Sequence, residues 1–395
     1  MILTNKQEQG LKIAIQRFKA KEPYTCISGF AGAGKTTLIR FIIEALELDP
    51  ATEVAYVAFT GKAASVLRQA GCPNATTAHK LLYHARQMPN GKYFFVPKTS
   101  LENEYKLIVV DEISMLPKDM WELLLKHRIH IIASGDPFQL PPINTESDNH
   151  VLDKPHIFLD EIMRQAKESD IICLSMDIRE RKMILPKKGN DVHIVYPHEV
   201  VSGMYSWADQ ILVATNRQRH EINNFMRQSE NRGPEPEAGD KVICLKNNWE
   251  ILSNQKNALV NGTIGYLIDP DVQMITYPLA FNFENVDVMC AAIQIDDEET
   301  FMPVVMDYKA LTTGQKTFDG KMEYLINRSR NPEMPPAPIE FNYGYAITTH
   351  RAQGSQWGNV MVVEEKFPFD KTEHARWLYT AVTRAQNKLV LVLDR

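Results

Sequence analysis

Residues 29–36 read Gly-Phe-Ala-Gly-Ala-Gly-Lys-Thr, a G-x-x-x-x-G-K-[ST] loop. Apolar "YTCIS" (24–28) precedes it, and "TLIRFIIEALEL" (37–48) follows with a wide apolar face at helical spacing. A strand that enters a glycine loop and leaves as a helix permits few folds. The loop's backbone N–H groups and the helix N-terminus face one point, which suits phosphate. Lys35 then neutralises phosphate oxygens, and the Thr36 hydroxyl is placed to ligate Mg²⁺.

The rest of the chain supplies strands for such a unit. "EVAYVAF" (53–59), "YKLIVV" (105–110) and "HIIAS" (130–134) are short apolar runs, as buried parallel strands require. "GKAASVLRQA" (61–70) is helical between two of them. A second set, "QILVATN" (210–216), "NVMVVEE" (359–365) and "KLVLVLD" (388–394), alternates with helical 217–228 and 372–385. The pattern predicts two doubly wound α/β domains. "HARQMPNGKYFFVPK" (84–98) reads as a hairpin about Asn90-Gly91, and 263–340 as a β-rich insertion. Asn261-Gly262 is a further hairpin turn signal.

Two further segments carry chemistry. "LIVVDEISM" (107–115) ends an apolar strand in Asp111-Glu112, at the ligand edge of an open sheet. Asp111 is the candidate Mg²⁺ ligand and Glu112 the group that orients and polarises an attacking water. "ASGDPFQLPPI" (133–143) follows another strand and offers Gln139 as a donor to a γ-phosphate; a proline-stiffened loop would also account for it.

Composition narrows the class. The chain has 395 residues, five cysteines with no C-x-x-C pair and a net charge of −5. That length implies more than one domain. The sparse, odd cysteine count implies free thiols in a reducing compartment and no zinc site. No run approaches the roughly 18 apolar residues of a spanning helix, and residues 1–15 do not read as a signal peptide. The charge argues against indiscriminate nucleic-acid binding while leaving room for a local basic groove.

Taken in order, "GFAGAGKTT", "AFTGKAASVL", "TTAHKLL", "VVDEISM", "GDPFQLPP", "IMRQA", "YAITTHRAQGSQW" and "LYTAVTRAQ" resemble the motif set of superfamily 1 helicases, most of all the RecD/Dda-type class. The resemblance covers nearly the whole chain and is weakest over 263–340. It implies two RecA-like P-loop NTPase domains, at 1–83 with 104–160 and at 161–262 with 341–395. It also implies a small β-hairpin insertion at 84–103 and an SH3-like insertion at 263–340. The implied activity is ATP- and Mg²⁺-dependent 5′-to-3′ movement on single-stranded DNA with duplex unwinding.

By the same resemblance, Gln7 reads adenine, and Gly32, Ala33, Gly34, Lys35, Thr36, Thr37, Gln139 and Gly354 surround the nucleotide. Arg164 and Arg384 reach its γ-phosphate from the second domain, which suits a guanidinium. DNA contacts fall on Thr60, Lys62, Thr77, His79, Thr348, Thr349, His350 and Gln353, residues able to hold phosphates without reading sequence. His79 and His350 fit equally as buried structural histidines, and Trp357 as a core residue or a stacking one. One hairpin aromatic, Phe94 ahead of Phe95, is the candidate wedge, because strand side chains alternate. Expected partners are single-stranded and forked DNA and a single-strand-binding or replication or recombination protein. A monomer in the bacterial or phage-infected cytoplasm, without a membrane, completes the expectation. Two other readings stay open: a nucleoprotein-remodelling ATPase that does not unwind duplex, and an RNA-directed enzyme.

Overall fold

The structure, a computed structural model, describes residues 3–87, 93–141, 151–162, 168–254, 258–279, 282–295, 299–320, 322–323, 326, 337–366 and 370–394. Two compact units emerge from its contacts. One comprises Met1–His84, Pro97–Thr215 and Thr348–Arg395; the other comprises Ala85–Val96 and Asn216–Ile347.

Two largely parallel sheets lie in the first unit. The strands β1 (Tyr24–Gly29), β2 (Val54–Ala58), β3 (Thr76–Thr77), β6 (Leu107–Val110), β7 (His130–Gly135) and β8 (Ile157–Leu159) pair in parallel, in the order β3-β2-β6-β7-β1-β8. Between β3 and β6 the chain forms β4 (Tyr83–Gln87) and β5 (Tyr93–Pro97), a separate two-stranded sheet. Successive residues of a strand point to opposite faces, and both faces here are covered. Ile108 and Val110 join Trp121 and Leu124 on one side; Leu107 and Val109 join Leu38 and Ile42 on the other. That double burial is why these strands read as unbroken apolar runs, each side chain contributing about 1.5–3 kcal/mol.

The helices begin where the sequence supplies a cap. Before α1 (Asn5–Lys19), Thr4 and Gln7 form a reciprocal capping box. The loop after β1 opens α2 (Lys35–Ala45). Thr60 caps α3 (Gly61–Gln69) and Thr77 caps α4 (Ala78–Leu82); α5 (Lys118–Lys126) lies between β6 and β7. In the second sheet Gln210–Val213, Trp357–Val363, Ala385–Val392 and Val192–Val195 pair in parallel in that order, with Lys187–Lys188 antiparallel at the edge. Asp370 caps the C-terminal helix, Lys371–Val382, by accepting from the N–H groups of Thr372 and Glu373.

The second unit is built on an antiparallel sheet in the order Thr300–Asp307, Asn282–Gln294, Ile264–Leu279, Lys241–Cys244, Phe341–Tyr343. The described residues of 263–340 supply three of these strands, and the sheet also recruits strands from outside those bounds. Tyr277, Val286, Val288, Phe318, Ile326 and Ala337 form its core. At Asn261-Gly262 the turn forms, Thr263 N–H donating to Val260 C=O at 3.0 Å. No hairpin results, however: Ala258–Leu259 pairs with Asn248–Leu252, and Ile264–Leu279 pairs elsewhere. The turn chemistry was legible; which strands it joined was decided by tertiary pairing.

Candidate nucleotide site at the sheet edges

The loop after β1 is held tightly. A Cβ on Gly29 would lie 2.7 Å from the Leu159 carbonyl oxygen of β8, so only glycine allows the two strands this approach. Lys35 Nζ donates to the carbonyls of Gly29 at 2.8 Å and Phe30 at 3.1 Å. Thr36 is exposed, Lys35, Gly32, Gly34 and Thr37 are half-buried, and Ala33 is buried.

Asp111 follows the end of β6 and is half-buried; desolvation first, then the neighbouring Glu112 carboxylate, pushes its pKa up, against the pull of Lys35. Glu112 has φ +48°, a left-handed conformation that costs a non-glycine residue about 1–3 kcal/mol. Its Oε2 is buried without a hydrogen-bond partner among the described residues. Gly354, at φ +73°, comes so close that a Cβ there would lie 3.6 Å from this oxygen and 3.3 Å from Thr60 Oγ1. Thr60, Asp111, Glu112, Met115 and Gly354 line one small cleft.

The second sheet's C-terminal helix provides the facing wall. Arg384, just beyond the helix, is 2 % exposed, and its Nη1 lies 3.4 Å from Glu112 Oε1. Its guanidinium also donates to the Thr380 carbonyl at 3.1 Å and the Ser355 carbonyl at 3.3 Å. Nearby, Tyr379 O–H donates to Asp136 Oδ2 at 2.6 Å and accepts from Ala31 N–H at 2.8 Å. The Leu140 N–H donates to Thr380 Oγ1 at 2.9 Å, and Gln353 Nε2 donates to the Leu140 carbonyl at 2.6 Å. Asp136 is 5 % exposed; burial raises its pKa against Lys35, the Tyr379 hydroxyl, the Phe138 N–H and Arg384.

The sequence-derived residues thus separate into groups. Lys35, Asp111, Glu112, Gly354 and Arg384 gather about the loop and the ends of the strands. Gln139 is half-buried on the loop after β7. Gln7 is 1 % exposed, with its Oε1 accepting from Thr4 N–H at 3.0 Å and its Nε2 directed at the Ala33 and Gly34 carbonyls at 3.3 and 3.4 Å. A base-reading role requires it to release those partners. Thr60 and Thr77 hydroxyls accept from their own helices, at Ala63 N–H (3.1 Å) and Lys80 N–H (3.2 Å). Thr348 is 8 % exposed; Thr349 is fully buried, its hydroxyl donating to the Val213 carbonyl at 3.3 Å. His79 packs against Phe59 and Tyr83, and burial lowers the pKa of both His79 and His350. Trp357 is half-buried. Arg164 lies outside the described residues, as do the side chains of Lys62 and Phe94.

Asp136, Tyr379 and Thr380 escaped the sequence reading. Polar Tyr379 and Thr380 within the otherwise apolar run "WLYTAV" were the available signal, since a buried helix face has to satisfy every such group.

Mg²⁺ fits this donor set. It usually takes one or two protein oxygens and completes its shell with water and phosphate. Asp111 and Glu112 line the cleft with carboxylates, and Thr36, exposed in the first turn of α2, has a hydroxyl to offer.

A glycine loop, an acidic strand end and an arginine arriving from a second parallel sheet define a P-loop NTPase of the two-sheet kind. Residues 4–192 match the AAA domain family, and residues 343–392 match the UvrD-like helicase C-terminal domain. Both matched families, together with the relatives below, are similar to the RecD/Dda-type class of superfamily 1. It is similar to the ATP-dependent RecD2 DNA helicase of Deinococcus radiodurans, at 24% identity over 92% of this chain and 46% of that protein. It is also similar to the ATP-dependent DNA helicase dda of Enterobacteria phage T4, at 28% identity over 46% of this chain and 43% of that protein. The chain therefore spans less than half the length of these two relatives. The crystal structure of Pif1 helicase from Bacteroides in complex with ADP-AlF3 and ssDNA aligns with 100% of this chain and 95% of that one, at 15% identity and a TM-score of 0.49.

Proposed function

We propose that this protein is an ATP-dependent 5′-to-3′ DNA helicase and translocase. The observation that carries the reading is Arg384, buried and 3.4 Å from Glu112, linking the second sheet to the hydrolytic end of the first. Similarity to two proteins named as ATP-dependent DNA helicases supports it.

In this reading Lys35 exchanges its carbonyl partners for phosphate oxygens. Thr36 and Asp111 hold Mg²⁺, which when bound neutralises phosphate charge. Glu112 orients a water and accepts its proton; its unpaired oxygen is available for this. Arg384, with Arg164 and Gln139, stabilises charge on the transferred group and loses a partner when phosphate leaves. Sheet–sheet contact thereby depends on the nucleotide, the requirement for a two-state motor.

The DNA track falls on the first unit's helix starts at Thr60, Lys62 and Thr77, with His79, Thr348 and His350. Thr349 and Gln353 act behind it, since both are buried and bonded to backbone carbonyls. Residues 263–340 contain thirteen acidic and five basic side chains, a composition that repels a phosphate backbone. That insertion, read as SH3-like, serves to confine or recruit rather than to grip. The hairpin carrying Phe94 is the wedge at a forked duplex.

Duplexes with a 5′ or a 3′ single-stranded tail, incubated with ATP and Mg²⁺, test the proposal. Strand separation on the 5′-tailed DNA alone is expected. ATP turnover without strand separation, or stimulation by RNA in place of DNA, would sink it.

A further inference from the structure

We infer that Tyr379 is a positioning residue: with Asp136 it latches the nucleotide loop to the C-terminal helix and thereby favours the arrangement that accepts a triphosphate. The inference rests on the nucleotide-site reading above.

One phenolic oxygen joins three segments. It accepts the Ala31 N–H of the loop after β1 and donates to Asp136, which follows β7, while the ring stands on the C-terminal helix of the other sheet. The ring packs edge-on against Phe138, with centroids 5.1 Å apart. Asp136 Oδ1 accepts from Phe138 N–H at 2.9 Å, so the carboxylate also shapes the loop that carries Gln139. Every group involved is buried or half-buried, where an unpaired donor or acceptor is costly. The latch therefore closes as a set or opens as a set.

Its location gives it a consequence. Thr380 and Arg384 lie one helical turn apart, and Thr380 accepts from Leu140 N–H while Arg384 faces Glu112. Tyr379 thus acts on the same helix that delivers the arginine. When the latch is closed, Arg384 stands where a γ-phosphate's charge would be met. A diphosphate lacks that group and gains little from closure; a triphosphate gains from it. Differential affinity for the closed arrangement is what a latch of this kind can alter.

The test is Tyr379→Phe, which keeps the ring on Phe138 and removes only the hydroxyl, alongside Asp136→Asn. Equilibrium binding of a β,γ-imido ATP analogue and of ADP is measured for each, with the melting temperature. The expected result is about tenfold weaker analogue binding, the size of one charged hydrogen bond partly lost, with ADP changed less than about threefold. The KM for ATP should rise with the analogue's Kd while kcat stays within about threefold. The acid limb of kcat/KM gives a second readout. The Tyr379 hydroxyl donates to Asp136, against burial and beside Lys35 and Arg384, so Tyr379→Phe should move Asp136's contribution to that limb to higher pH, and in an Asp136→Asn background Tyr379→Phe should move the limb no further. Unchanged analogue affinity, or equal weakening of analogue and ADP with a lower melting temperature, would overturn the latch. Analogue binding needs no turnover. A wild-type protein that binds the analogue without hydrolysing ATP would defeat the helicase reading, and the same affinity ratio would still decide the latch.

Discussion

Both units bury charge, and they treat it differently. In the second, Asp240 is fully buried and fully answered: Arg227 Nε donates at 3.0 Å, Tyr345 O–H at 3.0 Å and Glu237 N–H at 2.8 Å. In the first, Glu112 keeps a buried oxygen with no partner among the described residues, and desolvation drives the pKa of Asp111 upward beside it. A closed network of buried charge holds a fold together; an open one is left for a ligand. The same residue types therefore divide into framework and machinery by whether their valences are filled.

Substitution should expose that division. Glu112→Gln or Lys35→Ala should lower DNA-stimulated ATP turnover at least about a thousandfold with little change in thermal stability. A variant with near-normal turnover would remove the residue from the site. Asp240→Ala should do the reverse. It strands Arg227 and should destabilise the protein by about 3–5 kcal/mol in denaturant titration, while nucleotide affinity measured below the transition is retained. Arg384→Ala comes next: binding of nucleotide persists and turnover falls about a hundredfold, and equal turnover would break the link between the sheets.

The smallest effect concerns pH. Burial lowers the pKa of His79, His127, His130, His156 and His350, all in the first unit. A depressed histidine pKa means that the unfolded chain binds protons the folded one refuses. Stability is then full above the ordinary histidine pKa of 6.5 and declines as pH falls below it. Asp111 and Asp136, with raised pKa, oppose this as pH falls toward the ordinary carboxylate range. His220 is the second unit's one histidine. Hydrogen exchange between pH 7 and about pH 5.5 should therefore accelerate first in the parallel sheets; uniform acceleration would contradict the assignment.

The first unit was the more legible for a physical reason. Strands buried on both faces, such as Leu107–Val110, must be apolar throughout, and the chemistry is attached to their ends, where Asp111 and Glu112 stand out against them. Lys35 and Arg384 came with distinctive flanks. Side chains whose role depends on a distant partner were not legible. Gln353 finds Leu140 and Thr349 finds Val213 only after folding, and Gln7 turned out to be bonded to its own cap and the nucleotide loop. In the second unit the turn at Asn261-Gly262 could be read, but strand pairing across many residues could not.

Arg384 arrives at the site already immobilised by the carbonyls of Thr380 and Ser355. A free arginine carries about 2 kcal/mol of rotamer entropy. Here that loss is incurred once, when the chain folds. Each round of nucleotide exchange then begins with the guanidinium already aligned, and the pace of the cycle is left to the movement of whole sheets instead of the search of one long side chain.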